Sequence, residues 1–402
     1  MRPLRPPRPL RALALVVGLA LTGGGALAAP QDRRISDAGP EAALQQILAE
    51  IEAKRLDAAL DRVDTLLAVY PNFRLAQLIK GDLLLAHSQP LSGFGGTPGP
   101  QKEIDDLREE AIARLRAYRE RPESGYVPRY LLQMAPEEEH AVVVDTRRAR
   151  LYVYRNDNGR PRLVADYYAS HGKAGAAKMY EGDNKTPLGV YHVTSFISPA
   201  KLPDFYGSGA FPLNYPNEWD KRHGRTGYGI WLHGTPSDTY ARPPKSSEGC
   251  VVLSNQDLIT LANYVQPGQT PVIISNEVEW LAADDWQAQR QSLGETIEAW
   301  RRDWESGDVD RHLSHYSPRF STGSVDYAAL SAQKRRVAAR REWVKVGVDR
   351  ISMYRNPGQE ELVVVTFEQD YRSNTVSDKM RKRQYWTLEN GRWKIIFEGA
   401  AT

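Results

Sequence analysis

Apolar positions change period along the chain. Between Glu41 and His87 they recur at three- and four-residue intervals, through Ala42, Leu44, Ile47, Leu48 and Ile51 and then Ala59, Leu60, Val63, Leu66 and Leu67. That spacing lines one face of a helix. Pro71, in YPNFRLAQLIKGDLLLA, ends one helix before another begins. The Gly/Pro-rich stretch Ser88–Pro100 cannot be regular, and a charged helix is expected over Lys102–Glu120. From His140 the period drops to two. AVVVDTRRARLYVYRND reads as two strands and a turn, and RLVADYYASHG, PLGVYHVTSF and TPVIISNEV read as further strands between Gly/Pro-rich loops. One helix is expected inside this β-rich stretch, at NQDLITLANYV, capped by Ser254 or Asn255. Near Asp284 helical spacing returns, followed by four alternating runs: VDRISMYR, ELVVVTFEQDY, RKRQYWTLEN and RWKIIFEG.

The pattern predicts a multidomain chain of mixed α and β structure, with a helical module over 29–130, a β-rich domain over 139–276 and an α+β domain over 284–400. The helical stretch resembles a tetratricopeptide-type hairpin. Barely one repeat is present, and such units need stacked neighbours, so packing or dimerisation, with a second copy or a protein partner, is the plainer role. Helices leading into a curved antiparallel sheet resemble the NTF2-like cone.

Residues 1–28 follow neither period. Arg2, Arg5, Arg8 and Arg11 precede the apolar run Ala12–Leu21, and Ala26-Leu27-Ala28 forms a small-x-small cleavage site. This is the pattern of a secretory signal peptide, which places the mature chain outside the cytoplasm, in the periplasm or cell envelope. The run is short for a bilayer span, though an uncleaved anchor stays open. No cysteine follows it, so a lipoprotein anchor is excluded. A mean hydropathy of -0.54 agrees with the lack of any later transmembrane stretch. The formal charge of +3 is too small to argue for nucleic acid.

Cysteine usage narrows the chemistry. Cys250 is the one cysteine in 402 residues, so an internal disulfide and a Cys-based zinc site are both excluded. A lone thiol is often an inert core residue. Its surroundings argue otherwise. His233 ends the strand-like GYGIWLHG, Gly234 lets the chain turn away, and the chain returns through Pro236, Pro243 and Pro244 as SSEGC. A thiol needs a base to become a nucleophile, and His233 is the natural one. Gly249 permits a tight turn, the Gly249 and Cys250 amides could form an oxyanion site, and Ser247 can hydrogen-bond near either group. No acidic third member is evident, which leaves a backbone carbonyl to orient His233.

His233-Gly234, a spacer, then Ser247-Glu248-Gly249-Cys250 resembles the L,D-transpeptidase (YkuD-like) catalytic domain. Its second mark, Thr-Pro-x-Gly after Gly-Asp, appears in EGDNKTPLGVYHV as Thr186-Pro187-Leu188-Gly189. The resemblance covers about Glu139 to Asn276. It implies a peptidoglycan-modifying cysteine enzyme acting on peptide stems at the bond between a diamino acid and D-alanine, through a thioester and with no metal or cofactor. An amine acceptor would give a 3-3 crosslink, the transpeptidase outcome that the family name favours. Water would give a tripeptide, the L,D-carboxypeptidase outcome. The whole layout is also similar to cell-shape L,D-carboxypeptidases with an NTF2-like tail. A catalytically idle peptidoglycan-binding scaffold is the alternative from another class.

Two departures matter. Glu248 stands where many relatives have histidine, and Val252 where they have arginine. A contact to a substrate carboxylate must then come from Arg225, Arg242 or Lys245, while Tyr228 and Trp231 are further substrate-contact candidates. Other signals are weaker. His171 imitates the His-Gly pair without a matching cysteine, and His192 and His223 lack metal-ligand spacing. KRRVAARR (334–341) reads as a solvated helix face. Trp286, Trp300, Trp304, Trp343, Trp386 and Trp393 read as an aromatic core before a glycan pocket.

Overall fold

Helical periodicity in the first module becomes four helices, α1 (Arg33–Glu52, interrupted at Gly39), α2 (Leu56–Val69), α3 (Arg74–Ala86) and α4 (Gln101–Arg119). The computed structural model describes residues 33–89, 93–96, 99–120, 122–123, 125–323, 325–358 and 361–401. The expected signal peptide lies outside the described residues. The apolar stripes of the helices bury Leu44, Ile47, Val63, Leu66, Leu75 and Ile79 in one cluster, which also takes in Tyr240 from the β-rich domain. Beneath it Arg114 of α4, 4% exposed, pairs with Glu110 at 2.8 Å and with Glu41. Its guanidinium lies 3.9 Å from the ring centroid of Tyr168. Arg150, across the junction, reaches the same Glu41 at 3.3 Å. The module is thus docked on its own chain by an aromatic plug and a buried charge network.

Short strands β1 (Val127–Pro128) and β2 (Leu131–Gln133) follow. The β-rich domain then builds a five-stranded sheet in the order β5-β4-β3-β12-β7, from β3 (His140–Asp145), β4 (Arg150–Asp157), β5 (Arg160–Tyr168), β7 (Gly189–His192) and β12 (Pro271–Ser275). A second sheet, β11-β9-β8, is made of β8 (Ala210–Pro212), β9 (Trp231–His233) and β11 (Val251–Val252). Beside it β6 (His171–Gly172) pairs with β10 (Lys245–Ser247). Val142, Val144, Leu151 and Val153 from the first sheet meet Leu232, Val251 and Leu253 in one core, closed by Leu258 and Leu261 of α6 (Asn255–Leu261). Ser254 caps α6 by accepting from the Asp257 amide. Sequence periodicity missed α5 (Glu218–Arg222), a five-residue helix held by a reciprocal Asn217/Asp220 capping box. It is too short to show a 3.6-residue period.

The C-terminal domain packs β13 (Trp280–Leu281), α7 (Ala283–Glu305), α8 (Val309–Ser314), the β14–β15 hairpin (Ser321–Thr322, Val325–Asp326) and α9 (Tyr327–Ala338) against a curved sheet. Its strands are β16 (Val344–Arg355), β17 (Leu362–Ser373), β18 (Ser377–Glu389) and β19 (Arg392–Ala400). The sheet order is β19-β18-β17-β16-β2, so an edge strand comes from before the β-rich domain. Trp286, Trp300 and Trp386 are core residues, whereas Trp343 is exposed. Glu218 of α5 accepts from Arg383 and Tyr385, and Trp219 stacks on Tyr385 at 5.3 Å, joining the two domains.

Replacing Arg114 by Ala strands the buried Glu110 and leaves Glu41 with Arg150 alone. The expected loss is about 3–5 kcal/mol of unfolding free energy, read by urea denaturation. A loss under about 1 kcal/mol would show that the network is solvated.

Candidate active site around Cys250

The site follows from one strand pairing. β9 and β11 run parallel, with Val251 opposite Leu232 and Val252 opposite His233. Side chains alternate along a strand, so Leu232 and Val251 enter the core while His233 and Val252 take the other face. Cys250, two positions before Val252, shares that second face. The thiol and the imidazole therefore lie on one face of neighbouring strands, with Tyr206 and Arg242 interacting with both.

The turn carrying the thiol is held from three sides. Gly249 has φ +130°, and a Cβ there would lie 2.7 Å from the Lys185 carbonyl, so a side chain is excluded. The Ser247 hydroxyl accepts from the Gly249 N–H at 3.1 Å and donates to the Cys250 carbonyl at 2.6 Å. The Thr186 hydroxyl, fully buried, accepts from the Gly172 N–H and donates to the Gly249 carbonyl, both at 2.9 Å. This is what the Thr-Pro-x-Gly segment does: its threonine hooks the Cys250 turn to β6.

Cys250 is partly exposed, and its Sγ–H donates to the Gly229 carbonyl at 3.3 Å. Burial pushes the thiol up to about 11, opposed by the Trp231 N–H facing the sulfur and by Arg242, while Glu248 adds to the rise. His233 is 1% exposed, with Tyr206 5.0 Å edge-on and Phe205 at 6.0 Å. Its Nδ1 lies 2.7 Å from the Gly234 carbonyl. A carbonyl only accepts, so the proton sits on Nδ1 and Nε2 carries the lone pair. Burial lowers the imidazole to about 4; the Gly234 hydrogen bond works against this and Arg242 with it. Both partners are neutral near pH 7, a thiol beside a free base.

The other candidate residues divide. Gly234 is required for close packing, since a Cβ would lie 2.2 Å from Asn255 Oδ1. Arg225 is committed to the buried Asp220 at 2.8 Å, which itself caps α5. Lys245 is exposed on β10, whereas Arg242 lies over the Phe205 ring at 4.4 Å and acts electrostatically on both Cys250 and His233. Trp231 packs on Tyr206 at 5.0 Å, and Tyr228 is 76% exposed at the rim. One expectation needs correction. The Gly249 N–H is taken up by Ser247 and is not free as an oxyanion donor. Sequence reasoning also missed the buried Lys178–Asp183 pair (2.8 Å), which fixes the loop leading to Thr186. The Gly-Asp preceding Thr-Pro was its only signal. His171 is buried on β6. Among the described residues no group of three or more His, Cys, Asp or Glu side chains is placed to hold a metal, and no helix is long and apolar enough to cross a membrane.

A second cavity, of about 260 Å³, opens in the C-terminal cone between Trp304, His312, Lys334, Tyr371, Lys382 and Glu398. Lys334 departs from the solvated helix face expected of KRRVAARR. Its Nζ lies 5.3 Å and 4.8 Å from the Trp304 and Tyr316 ring centroids, and burial lowers it to about 8.

The family model of the L,D-transpeptidase catalytic domain matches residues 139–274. That of the Cds6 C-terminal NTF2-like domain matches 292–399. The solved structure of Bd1075 from Bdellovibrio bacteriovorus is 30% identical with a TM-score of 0.61, covering 69% of this chain and 98% of its own. The chain belongs to the L,D-transpeptidase family. The helical cell shape determining protein Pgp2 from Campylobacter jejuni is another similar structure, with 25% identity, a TM-score of 0.56, and 67% and 95% of the two chains covered. No curated protein matches the chain. Neither family model reaches the helical module before residue 139.

Two outcomes are expected for this L,D-transpeptidase-family site. The rate of Cys250 alkylation by iodoacetamide should keep rising above pH 9, because the thiol titrates near 11; a plateau near pH 7 would contradict a neutral resting pair. Thr186→Val should lower stability by about 1–3 kcal/mol in thermal or urea unfolding, since the buried Gly172 N–H and Gly249 carbonyl lose their partner.

Proposed function

We propose that the protein is an exported peptidoglycan-modifying enzyme in which Cys250 attacks the carbonyl joining the diamino acid of a peptide stem to its terminal D-alanine. The observation that carries this reading is the shared strand face of Cys250 and His233, with the Nε2 lone pair left free because the Gly234 carbonyl holds the proton on Nδ1.

As sulfur bonds to carbon, the thiol proton passes to His233 Nε2 and the carbonyl π pair moves onto oxygen. With the Gly249 amide engaged by Ser247, the Cys250 N–H is the donor this turn offers to the oxyanion. When the intermediate collapses, the C–N bond breaks and the imidazolium returns its proton to the departing D-alanine amine. A thioester on Cys250 remains. An amine from a second stem then yields a 3-3 crosslink, with His233 taking the amine's proton and the thiol being released protonated.

A second reading replaces that amine by water and yields a tripeptide stem. It is favoured by one observation: the chain is similar, over 67% of its length, to Pgp2, described as a helical cell shape determining protein. Disaccharide tetrapeptide incubated with the protein and weighed by mass spectrometry separates the two, since crosslinked dimers mean transfer and tripeptide monomers alone mean hydrolysis.

Cys250→Ala should abolish both products. His233→Ala should slow turnover by about 10²–10⁴-fold and slow iodoacetamide labelling with it. Equal labelling of wild type and the histidine variant would favour an idle scaffold. The base is available while neutral, so kcat/KM should hold through neutral pH and fall as pH approaches about 4.

A further inference from the structure

Three cations lie on the loops before Cys250, and their partners differ. Lys178 has Asp183 and Arg225 has Asp220, each at 2.8 Å. Arg242 is half-buried, and among the described residues no carboxylate pairs with it. Its one protein acceptor is the Phe205 carbonyl, at a long 3.4 Å. A charge in that position is ordinarily paired, so an unpaired guanidinium beside a reactive thiol is a receiver for an anion. Its plane is set by Phe205, whose ring lies 4.4 Å beneath it and 6.0 Å from His233.

The backbone of Arg242 is held equally firmly, by its own domain directly and by the helical module behind it. Its carbonyl accepts from the Tyr168 and Ser170 hydroxyls, both at 2.9 Å, and the Tyr168 ring carries Arg114 of α4. Two residues earlier Tyr240 is plugged into the helical core, with Phe73 at 4.3 Å and Tyr70 at 5.2 Å, and its N–H reaches the Asn72 carbonyl at 3.4 Å. Asn72 in turn donates to the Ser237 carbonyl at 3.3 Å. The loop between His233 and Cys250 is therefore pinned at both ends by its strands and in the middle by α1–α4.

We infer that Arg242 reads the terminal carboxylate of the substrate stem, and that the helical module, through Tyr240 as a positioning residue, holds it where that carboxylate arrives. The inference rests on the acyl-transfer reading for its substrate. It adds that recognition is of a free C-terminus and that the N-terminal helices are part of the specificity apparatus. Arg242 thereby supplies a cation that the chain lacks at Val252.

Binding separates this claim from catalysis. In a Cys250→Ala background, calorimetry would compare disaccharide tetrapeptide with the same molecule ending in D-alaninamide. The acid should bind roughly 100-fold tighter than the amide, and adding Arg242→Gln should bring that ratio to near one. Tyr240→Ala should reduce the ratio by about 10-fold or more, and Tyr240→Phe, which keeps the ring, should restore it. Circular dichroism confirms that each variant is folded. No acid preference in the starting protein, or an unchanged ratio in Arg242→Gln, overturns the inference. An unchanged ratio in folded Tyr240→Ala overturns the part assigned to the helices. Acid preference without turnover in wild type would leave the inference standing and sink the acyl-transfer reading instead.

Discussion

Parallel pairing of two very short strands is the constraint from which the site follows. Parallel neighbours cannot be joined by a tight hairpin, because the chain must travel back along its full length before re-entering. Between β9 and β11 this return occupies the excursion from Gly234 to Gly249. The pairing brings His233 and Cys250 to one face and simultaneously creates a long connection that must be immobilised. Thr186, Ser247, Asn255 and Tyr240 each hold part of that route. The same two side chains on antiparallel strands joined by a tight hairpin would have had no such loop to carry Arg242.

Burial then decides the resting chemistry. The same desolvation that raises the Cys250 thiol lowers His233, so the pair does not separate charge until something is bound. The hydrogen bonds around it fix geometry more than they shift protonation. Gly234 selects the tautomer, Gly229 aims the thiol, and the Trp231 N–H waits on the sulfur. A thiol kept protonated is also less prone to oxidation.

Much of this was legible in the amino-acid order because the motif residues are constrained by local geometry. Gly249 and Gly234 stand where a Cβ cannot fit, and Ser254 caps a helix in the ordinary way. The hidden parts are long-range. Nothing near Tyr240 announces that its ring completes a helical core over one hundred residues upstream, and Arg225 looks as available as Arg242 until Asp220 is seen against it. α5 was lost for want of length, and β2, at three residues, was too brief to show alternation. Lys334 sits in a run of charges that reads as solvated, yet tertiary packing turned this one lysine inward over two rings.

The placement of β2 has a consequence for how the molecule is assembled. Because Leu131 and Gln133 pair with Tyr354 and Met353, the cone is completed by chain made just ahead of the catalytic domain. In topological terms the catalytic domain is an insert, tethered at both ends to the same sheet. After a single cut in the 276–283 connection the β2–β16 pairing would still join the two pieces, and the C-terminal half could not drift away as a bead on a string.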